Sequence, residues 1–296
     1  MKSKNHFKQR LDTCSKAREI TSQACFEALK YVYTASEKIS ELQFKNYWLK
    51  EIEVWGEVTK GLGWYDPPPD GIAVLFGSKE RPERINYPTL RPRKYWPNPK
   101  IYFDSKGLGY VFASLYKFLE GIPIIGDFGF TYYLGRNERI IDHFKKGREL
   151  TDRICDLVSI GMTYNKLYTS TIQLLNKYDM ENNVYSTTDR NWTNLGHSIP
   201  FINRSPTENE HESFLSGNKN LVNKTISLAR IFINKSENFT IESNSAFTIE
   251  PRLTSNKDKL LPMCSFHTIV QFVQGKKIVL TNFRKIFNLL NMDWLN

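Results

Sequence analysis

Apolar residues recur at steps of three and four along the first part of the chain. The residues with this spacing include Ala17, Ile20, Ala24 and Ala28. Such a period places them on one face of an α-helix. Ser40 is followed three residues later by Gln43, an arrangement typical of a capping box at the start of a helix. The pattern therefore predicts N-terminal helices within residues 1–60.

Strand-like and helix-like segments alternate over the rest of the chain. Short apolar runs predict strands at 72–76, 122–130, 229–233, 246–249, 266–273 and 278–281. Longer periodic segments predict helices at 140–162 and 164–178, while 110–119 fits a helix or a strand. The polar stretch 203–224 has few apolar residues and predicts an excursion loop or lid. Together these elements predict one α+β or mixed α/β domain over 1–296, with an antiparallel-rich sheet covered by helices.

Charge and composition narrow the classes of function. The 296 residues carry a net charge of +10, but the lysines and arginines are scattered, and proline, tyrosine, leucine and glutamate interrupt the densest basic stretch, 81–94. This argues against a nucleic-acid site and indicates a solvated basic surface. The sequence has no apolar N-terminal segment and no membrane-length apolar run, and its four cysteines are scattered. We therefore expect a cytoplasmic protein with reduced thiols and no membrane span.

Three segments carry candidate chemistry. Asp127 begins the string D-F-G after an apolar run, and Glu138 follows it eleven residues later. His197 stands in the string N-L-G-H-S-I-P. Glu250 lies in F-T-I-E-P, and the string F-H-T-I-V begins at Phe266. Carboxylates and imidazoles are the side chains that most often transfer protons or bind divalent metal ions.

In this order and spacing the segments resemble the signature of the pita-bread metallopeptidases. This family includes methionine aminopeptidase, Xaa-Pro aminopeptidase and creatinase. Its signature has a D-x-G strand with a second aspartate eleven residues later, a histidine segment like G-H-G-I-G, an F-T-I-E-P strand and a strand like E-H-T-I-V. The resemblance covers roughly 71–281 and implies the pita-bread fold.

The resemblance also implies two divalent ions held by five side chains, of which this sequence keeps only some. Carried over by position, the ligands are Asp127, Glu138, His197 and Glu250. The fifth position is Phe266, whose ring offers no lone pair. Glu138 stands where the family has aspartate, which moves the carboxylate by one methylene. We therefore expect at most one bound ion, of iron, manganese or zinc, or no metal at all.

Some of these residues are also candidates for other roles. His197 is a candidate proton shuttle, and Asp127 is a candidate orienting or proton-accepting carboxylate. Phe266 and Trp64 are candidates for lining a substrate pocket. We interpret His267 as flanking structure, because alternation along a strand turns it away from the face that Phe266 occupies.

Three functions remain open at this stage. The first is a metallopeptidase-like hydrolase that acts on an amide or other C–N bond of a small peptide-like substrate, with at most one metal ion. The second is a metal-free hydrolase like creatinase, or a tailoring enzyme of a biosynthetic pathway, with His197 as proton shuttle. The third is a catalytically inactive pita-bread binding module. A homodimer is compatible with each of them.

Overall fold

The computed structural model describes residues 2–55, 68, 71–78, 82–185 and 188–296. Two helices begin the chain, α1 (Lys2–Thr34) and α2 (Glu41–Val54). The Ser40 hydroxyl accepts the Gln43 backbone N–H at 3.3 Å, and the Gln43 side chain accepts the Ser40 backbone N–H at 2.9 Å. The predicted N-terminal helices and capping box are therefore confirmed, and residues 56–60 of the predicted helical region lie outside the described residues.

Strands and helices follow in mixed order. The strands are β1 (Ile72–Gly77), β2 (Leu108–Ala113), β3 (Tyr116–Leu119), β4 (Ile122–Ile125), β5 (Phe128–Tyr133), β6 (Met180–Asn182), β7 (Ser245–Ile249), β8 (Leu253–Ser255), β9 (Thr268–Val273) and β10 (Lys276–Leu280). The further helices are α3 (Glu138–Leu157), α4 (Tyr164–Lys177), α5 (Glu208–Leu215), α6 (Lys219–Leu228) and α7 (Arg284–Leu289). Short 3-10 helices lie at Pro82–Ile85, Arg93–Tyr95 and Asp293–Leu295. This is the α+β class that the pattern predicts.

Two antiparallel sheets join into one larger sheet. Their strand orders are β1-β2-β5 and β10-β9-β7. They are linked where residues 265–267, just before β9, pair with β5: Thr131 N–H donates to the Ser265 carbonyl at 2.8 Å, and His267 N–H donates to the Gly129 carbonyl at 3.0 Å. On the other side of β7, the Thr248 N–H donates to the His197 carbonyl at 2.8 Å. Short segments around residues 129, 197, 248 and 266 are thus neighbours in the sheet.

Helix α1 packs closely against Gly126, which lies between β4 and β5. A Cβ at this position would lie 2.1 Å from the backbone nitrogen of Arg18 and 2.5 Å from the carbonyl carbon of Ala17. Only glycine lets the backbone of α1 approach so closely. This contact brings Arg18, which is fully buried, next to Asp127.

The polar stretch 203–224 forms helices instead of the predicted loop. Thr207 and Glu210 make a capping box that begins α5, and the Asn218 side chain accepts two backbone N–H groups at the start of α6. The apolar residues that anchor these helices in a hydrophobic cluster are Phe214, Val222 and Ile226. Because three buried residues are enough to dock two short helices here, the prediction from low apolar content was wrong.

Other predicted elements differ in detail. The run 122–130 forms two strands, because Gly126 and Asp127 interrupt it: β4 pairs with β3, whereas β5 pairs with β2. The ambiguous stretch 110–119 is likewise divided between two strands. The predicted strand 229–233 contributes only an isolated bridge between Phe232 and His197. Within the described residues, no helix has the length and apolarity that a membrane span requires.

Candidate active site

Four titratable side chains meet at the junction of the sheets, and we call them the acid–imidazole cluster. Its members are Asp127, His197, Glu250 and His267. Nε2 of His197 lies 3.4 Å from Oε1 of Glu250, and Nε2 of His267 lies 3.4 Å from Oε2 of Glu250. The same nitrogen of His267 is 4.0 Å from Oδ2 of Asp127. The Glu250 carboxyl group therefore lies between two imidazoles.

Glu250 is the most accessible member of the cluster. Its side chain is 17% exposed, whereas the side chains of His197, His267 and Asp127 are at most 2% exposed. A molecule that reaches the cluster from solvent therefore contacts Glu250 first.

The backbone around His197 is fixed by contacts with β7. Its N–H donates to the hydroxyl of Thr248 at 2.9 Å, and that hydroxyl donates to Oε1 of Glu250 at 3.1 Å. Gly196 has φ +143°, and a Cβ there would lie 2.2 Å from the Thr248 carbonyl oxygen. The glycine before the histidine is therefore required for this close pairing.

Arg18 supports the cluster from α1. Its guanidinium donates to the carbonyl oxygens of Asp127 and His267. Burial lowers the pKa of Arg18 to about 9, while Cys14 and Asp127 raise it. Arg18 is therefore a buried cation bound to the backbone of two cluster members.

Burial governs the protonation of the two acids. The pKa of Asp127 is raised well above its ordinary value by burial and by nearby Glu250, while the Ser114 hydroxyl and the Arg230 and Arg18 guanidinium groups act in the opposite direction. Burial also raises the pKa of Glu250, against the influence of Arg252, Thr248 and Arg230. Both acids therefore hold their protons to higher pH than exposed carboxyl groups do.

Burial has the opposite effect on the two histidines. It lowers the pKa of His197 to about 3, with a further contribution from Arg230. Burial and the charge of Arg18 lower the pKa of His267 well below its ordinary value. Both imidazoles are therefore neutral near pH 7.

Some polar atoms of the cluster lack partners in the described part of the chain. These atoms are both carboxyl oxygens of Asp127 and Nε2 of His267. Buried polar groups in proteins are nearly always hydrogen-bonded, so each exception requires an explanation. Here Nε2 of His267 and Oδ2 of Asp127 are 4.0 Å apart, too far for a direct hydrogen bond between them.

The structure brings together three of the four predicted ligands. Asp127, His197 and Glu250 belong to the cluster, but Glu138 does not. Glu138 is exposed at the first turn of α3, behind the capping residue Asn137. The chain after Asp127 forms all of β5 and then enters α3 at Glu138. The carboxylate of Glu138 therefore lies away from the cluster. A glutamate at a helix N-terminus is favourable for a different reason, its interaction with the helix dipole.

The proposed substrate-lining residues are not confirmed. Phe266 has no exposed surface, and its ring contacts Phe144, Phe283 and Phe287 in the hydrophobic core. Trp64 lies outside the described residues. The neighbour that we interpreted as flanking structure, His267, is the residue that faces the acids.

Sequence reasoning also missed the residues that surround the cluster. Arg18, Ser114 and Arg230 all influence the pKa of Asp127, and none stands near the recognised strings in the sequence. A polar residue on the apolar face of the first helix is the one signal that could have singled out Arg18.

The side chains present do not reproduce the two-ion centre that the resemblance implies. Phe266 occupies the fifth ligand position inside the core, and Glu138 is on the surface. Across the described residues, no three His, Cys, Asp or Glu side chains are arranged to hold a metal ion. We therefore derive the chemistry of the site from its side chains alone.

Comparison with known proteins identifies the fold. No family model matches the sequence, and no curated protein matches it. Among solved structures, X-Pro aminopeptidase from Thermotoga maritima matches with a TM-score of 0.59 and 12% identity over 93% of this chain and 61% of that chain. Prolidase from Pyrococcus horikoshii matches with a TM-score of 0.61 and 12% identity over 92% of this chain and 62% of that one.

A shorter structure aligns over nearly its full length. Methionine aminopeptidase from Thermotoga maritima matches with a TM-score of 0.56 and 12% identity, over 90% of this chain and 96% of that chain. The chain therefore spans about three fifths of the two longer peptidases and nearly all of the shorter one. It has the pita-bread fold that these metallopeptidases share.

Proposed function

We propose that the protein is a peptidase-like hydrolase that cleaves an amide or other C–N bond in a small peptide-like molecule. The observation that carries the proposal is the position of Glu250: its carboxyl oxygens are each 3.4 Å from Nε2 of a buried imidazole, His197 on one side and His267 on the other. Because Glu250 is also the accessible member of the cluster, its carboxyl group is the one that contacts the substrate.

Hydrolysis of an amide needs a proton acceptor for water and a proton donor for the leaving nitrogen. His197 is neutral, since burial lowers its pKa to about 3, and its Nε2 accepts a proton as the oxygen of water bonds to the carbonyl carbon. Glu250, whose pKa burial raises, gives its proton to the nitrogen as the C–N bond breaks. The proton on His197 then returns to Glu250 across 3.4 Å, which restores both groups.

The choice of substrate class draws support from the fold. The structural neighbours are named as an X-Pro aminopeptidase, a prolidase and a methionine aminopeptidase, and all three names refer to peptide hydrolysis. A single iron, manganese or zinc ion remains part of the proposal, although no step described above requires it. We also propose a cytoplasmic setting, which fits the four buried free cysteines, and a homodimer.

The test is a hydrolysis assay on purified protein with dipeptides, Xaa-Pro dipeptides and peptides that begin with methionine. Glu250→Gln keeps the shape of the side chain but cannot give up a proton in the same way, and His197→Ala removes the acceptor. We expect each variant to lower kcat by roughly 10²- to 10⁴-fold, the usual contribution of a general acid or base.

The matched control is Glu149→Gln, because Glu149 is 55% exposed in an ion pair on α3 and its replacement is expected to leave the rate unchanged. Elemental analysis and chelator treatment of the same preparation decide whether an ion contributes. Glu250→Gln with an undiminished rate, or the absence of hydrolysis across the whole peptide panel, would overturn the proposal.

A further inference from the structure

A groove with a volume of about 1130 Å³ lies at the end of β5, and we call it the β5 groove. Asp127 directly precedes β5 and Tyr133 is its last residue, so roughly 20 Å of strand separates the acid–imidazole cluster from the groove. Small-molecule sites usually have volumes of about 300–1,000 Å³. The β5 groove is therefore large enough for a ligand, and it lies apart from the candidate active site.

Two cations lie at the edge of the β5 groove because of the pairing between β2 and β5. The N–H of Leu134, just after β5, donates to the carbonyl of Gly107, just before β2, at 2.8 Å. Lys106 precedes this pair and Arg136 follows it closely in the sequence, so both side chains start from the same end of the sheet. Both residues are exposed, and both line the groove.

The lining of the β5 groove has no acid to balance these cations in the part of the chain that the structure describes. The nearest carboxylates in the sequence are those of Asp104 and Glu138. Asp104 accepts the backbone N–H of Lys106 at 2.9 Å within its own turn, and Glu138 is exposed at the start of α3. Arginine and lysine bind carboxylate, sulfonate and phosphate groups through charge-assisted hydrogen bonds. The charge of the groove therefore complements an anion.

The walls of the β5 groove contain three aromatic rings, those of Tyr33, Tyr133 and Trp294. The hydroxyl of Tyr33 accepts an N–H from the side chain of Asn291 at 3.0 Å, and the hydroxyl of Tyr133 accepts the backbone N–H of Asn137 at 3.0 Å. These hydrogen bonds hold the two phenol rings in place. Aromatic rings pack favourably in offset or edge-to-face arrangements with other rings, so the walls complement an aromatic ligand.

Aliphatic side chains complete the surface of the β5 groove. Leu108 and Leu290 are 3% and 2% exposed and belong to the hydrophobic core. Leu260 also lines the groove, but it is 85% exposed. A ligand with an apolar body would remove part of this surface from water, which is favourable.

We propose that the β5 groove binds a small aromatic anion. Its carboxylate, sulfonate or phosphate group contacts Lys106 and Arg136, and its rings pack against Tyr33, Tyr133 and Trp294. The two cations give the groove its preference for a negative charge, whereas the rings supply most of the contact area. This binding does not depend on the proposed hydrolysis, because no described residue that lines the groove belongs to the acid–imidazole cluster.

The experiment uses two fluorescent dyes as probes. The first is 1-anilinonaphthalene-8-sulfonate, an aromatic anion, and the second is N-phenyl-1-naphthylamine, which has the same rings without the sulfonate. We expect the wild-type protein to bind one molecule of the anionic dye per chain in a saturable titration. The double variant Lys106→Gln/Arg136→Gln should raise the Kd of the anionic dye by roughly three- to thirty-fold and leave the Kd of the neutral dye unchanged.

The matched control is Arg91→Gln/Lys166→Gln. This variant loses the same two positive charges from exposed positions outside the groove lining, and it should change neither Kd. Trp294→Ala removes part of the aromatic wall and should weaken the binding of both dyes. Because Lys106 and Arg136 are exposed, their replacement should leave the fold intact, which thermal denaturation checks.

An unchanged Kd of the anionic dye in Lys106→Gln/Arg136→Gln would overturn the inference, as would an equal rise in the control variant. Sedimentation with and without the dye tests a different occupant. If the dye dissociates a dimer, a second copy of this chain fills the groove and the assignment to a small anion is wrong. Loss of the proposed hydrolysis leaves these outcomes unaffected, so the two proposals fail separately.

Discussion

Thr248 and Glu250 are two residues apart at the end of β7, and the hydroxyl of Thr248 donates to Oε1 of Glu250 at 3.1 Å. The same hydroxyl accepts the backbone N–H of His197 at 2.9 Å. One buried hydroxyl thus fixes the proposed proton donor and the backbone of the proposed acceptor relative to each other.

Thr248→Val keeps the branched shape of this side chain and removes the hydroxyl. We expect the hydrolysis rate to fall roughly 10- to 100-fold, because a small displacement of an acid–base group is costly. The free energy of unfolding should fall by about 1–3 kcal/mol, since a buried N–H loses its acceptor. Peptide assays and urea denaturation measure the two effects.

The control for this variant is Thr254→Val. The Thr254 hydroxyl also donates to a glutamate, Glu181, at 3.2 Å, but this pair is only partly buried. Its loss should cost at most about 0.5 kcal/mol and leave the rate unchanged. A Thr248→Val protein with the full wild-type rate would show that the hydroxyl does not position the site.

The second prediction concerns the missing ligand of the family signature. Phe266 is fully buried, with ring centroids 6.1–6.4 Å from those of Phe144, Phe283 and Phe287. Phe266→Glu removes this packing and introduces an acid without a partner, so we expect the protein to lose at least about 3 kcal/mol of stability. We also expect that it gains no bound metal, as measured by elemental analysis.

Phe266→Leu is the matched control, because it keeps the site apolar and should cost at most about 1.5 kcal/mol. A folded Phe266→Glu protein with one metal ion per chain would contradict the assignment of this residue to the core.

The F-H-T-I-V string that begins at Phe266 was predicted correctly in one respect and not in another. Alternation along a strand correctly predicts that Phe266 and His267 face opposite sides of the sheet. It does not say which side faces the site. The ring of Phe266 packs against Phe144 of α3 and Phe287 of α7. The imidazole of His267 therefore lies on the other side, beside Glu250. This choice depends on tertiary packing that no local pattern encodes.

Glu138 and Arg18 illustrate two other limits. Glu138 has the expected spacing from Asp127, but the whole of β5 lies between them and Glu138 is the first residue of α3. The two residues are therefore close in the sequence without being neighbours in the site. Arg18 lies on α1, 109 positions before Asp127 in the sequence, and its side chain contacts the site. By contrast, Glu250 was predicted correctly as a neighbour of His197, because their strings lie on paired segments of the sheet.

The third prediction concerns the contact between α1 and Gly126. Gly126→Ala places a Cβ 2.1 Å from the backbone of Arg18, and because backbone atoms cannot move aside locally, the whole helix must shift. We expect a loss of more than about 2 kcal/mol in the free energy of unfolding, measured by urea denaturation. The reference substitution is Gly161→Ala, which meets no atom within 4 Å but has φ +84° and should cost roughly 1 kcal/mol. Equal losses in the two variants would mean that α1 accommodates the methyl group.

The fourth prediction is a pH dependence that arises outside the cluster. His143 on α3 is 4% exposed, and burial lowers its pKa from 6.5 to about 4, although the Pro262 carbonyl raises it. Well above pH 6.5 the imidazole of His143 is neutral in both the folded and the unfolded protein. Its titration therefore does not lower the free energy of unfolding in that range. As the pH falls towards 4, the unfolded chain takes up the proton first, and the folded state loses up to roughly 3 kcal/mol from this residue.

His143→Gln retains an N–H that can donate to the Pro262 carbonyl and removes the titration. We therefore expect the variant to lose less stability than the wild type between pH 6.5 and pH 4, in urea denaturation series at both pH values. His197 and His267 also have lowered pKa values, so both proteins should still lose stability in acid. The difference between the two curves belongs to His143, because the other two histidines are present in both. If the curves run parallel, His143 is protonated as readily in the folded protein as in the unfolded chain.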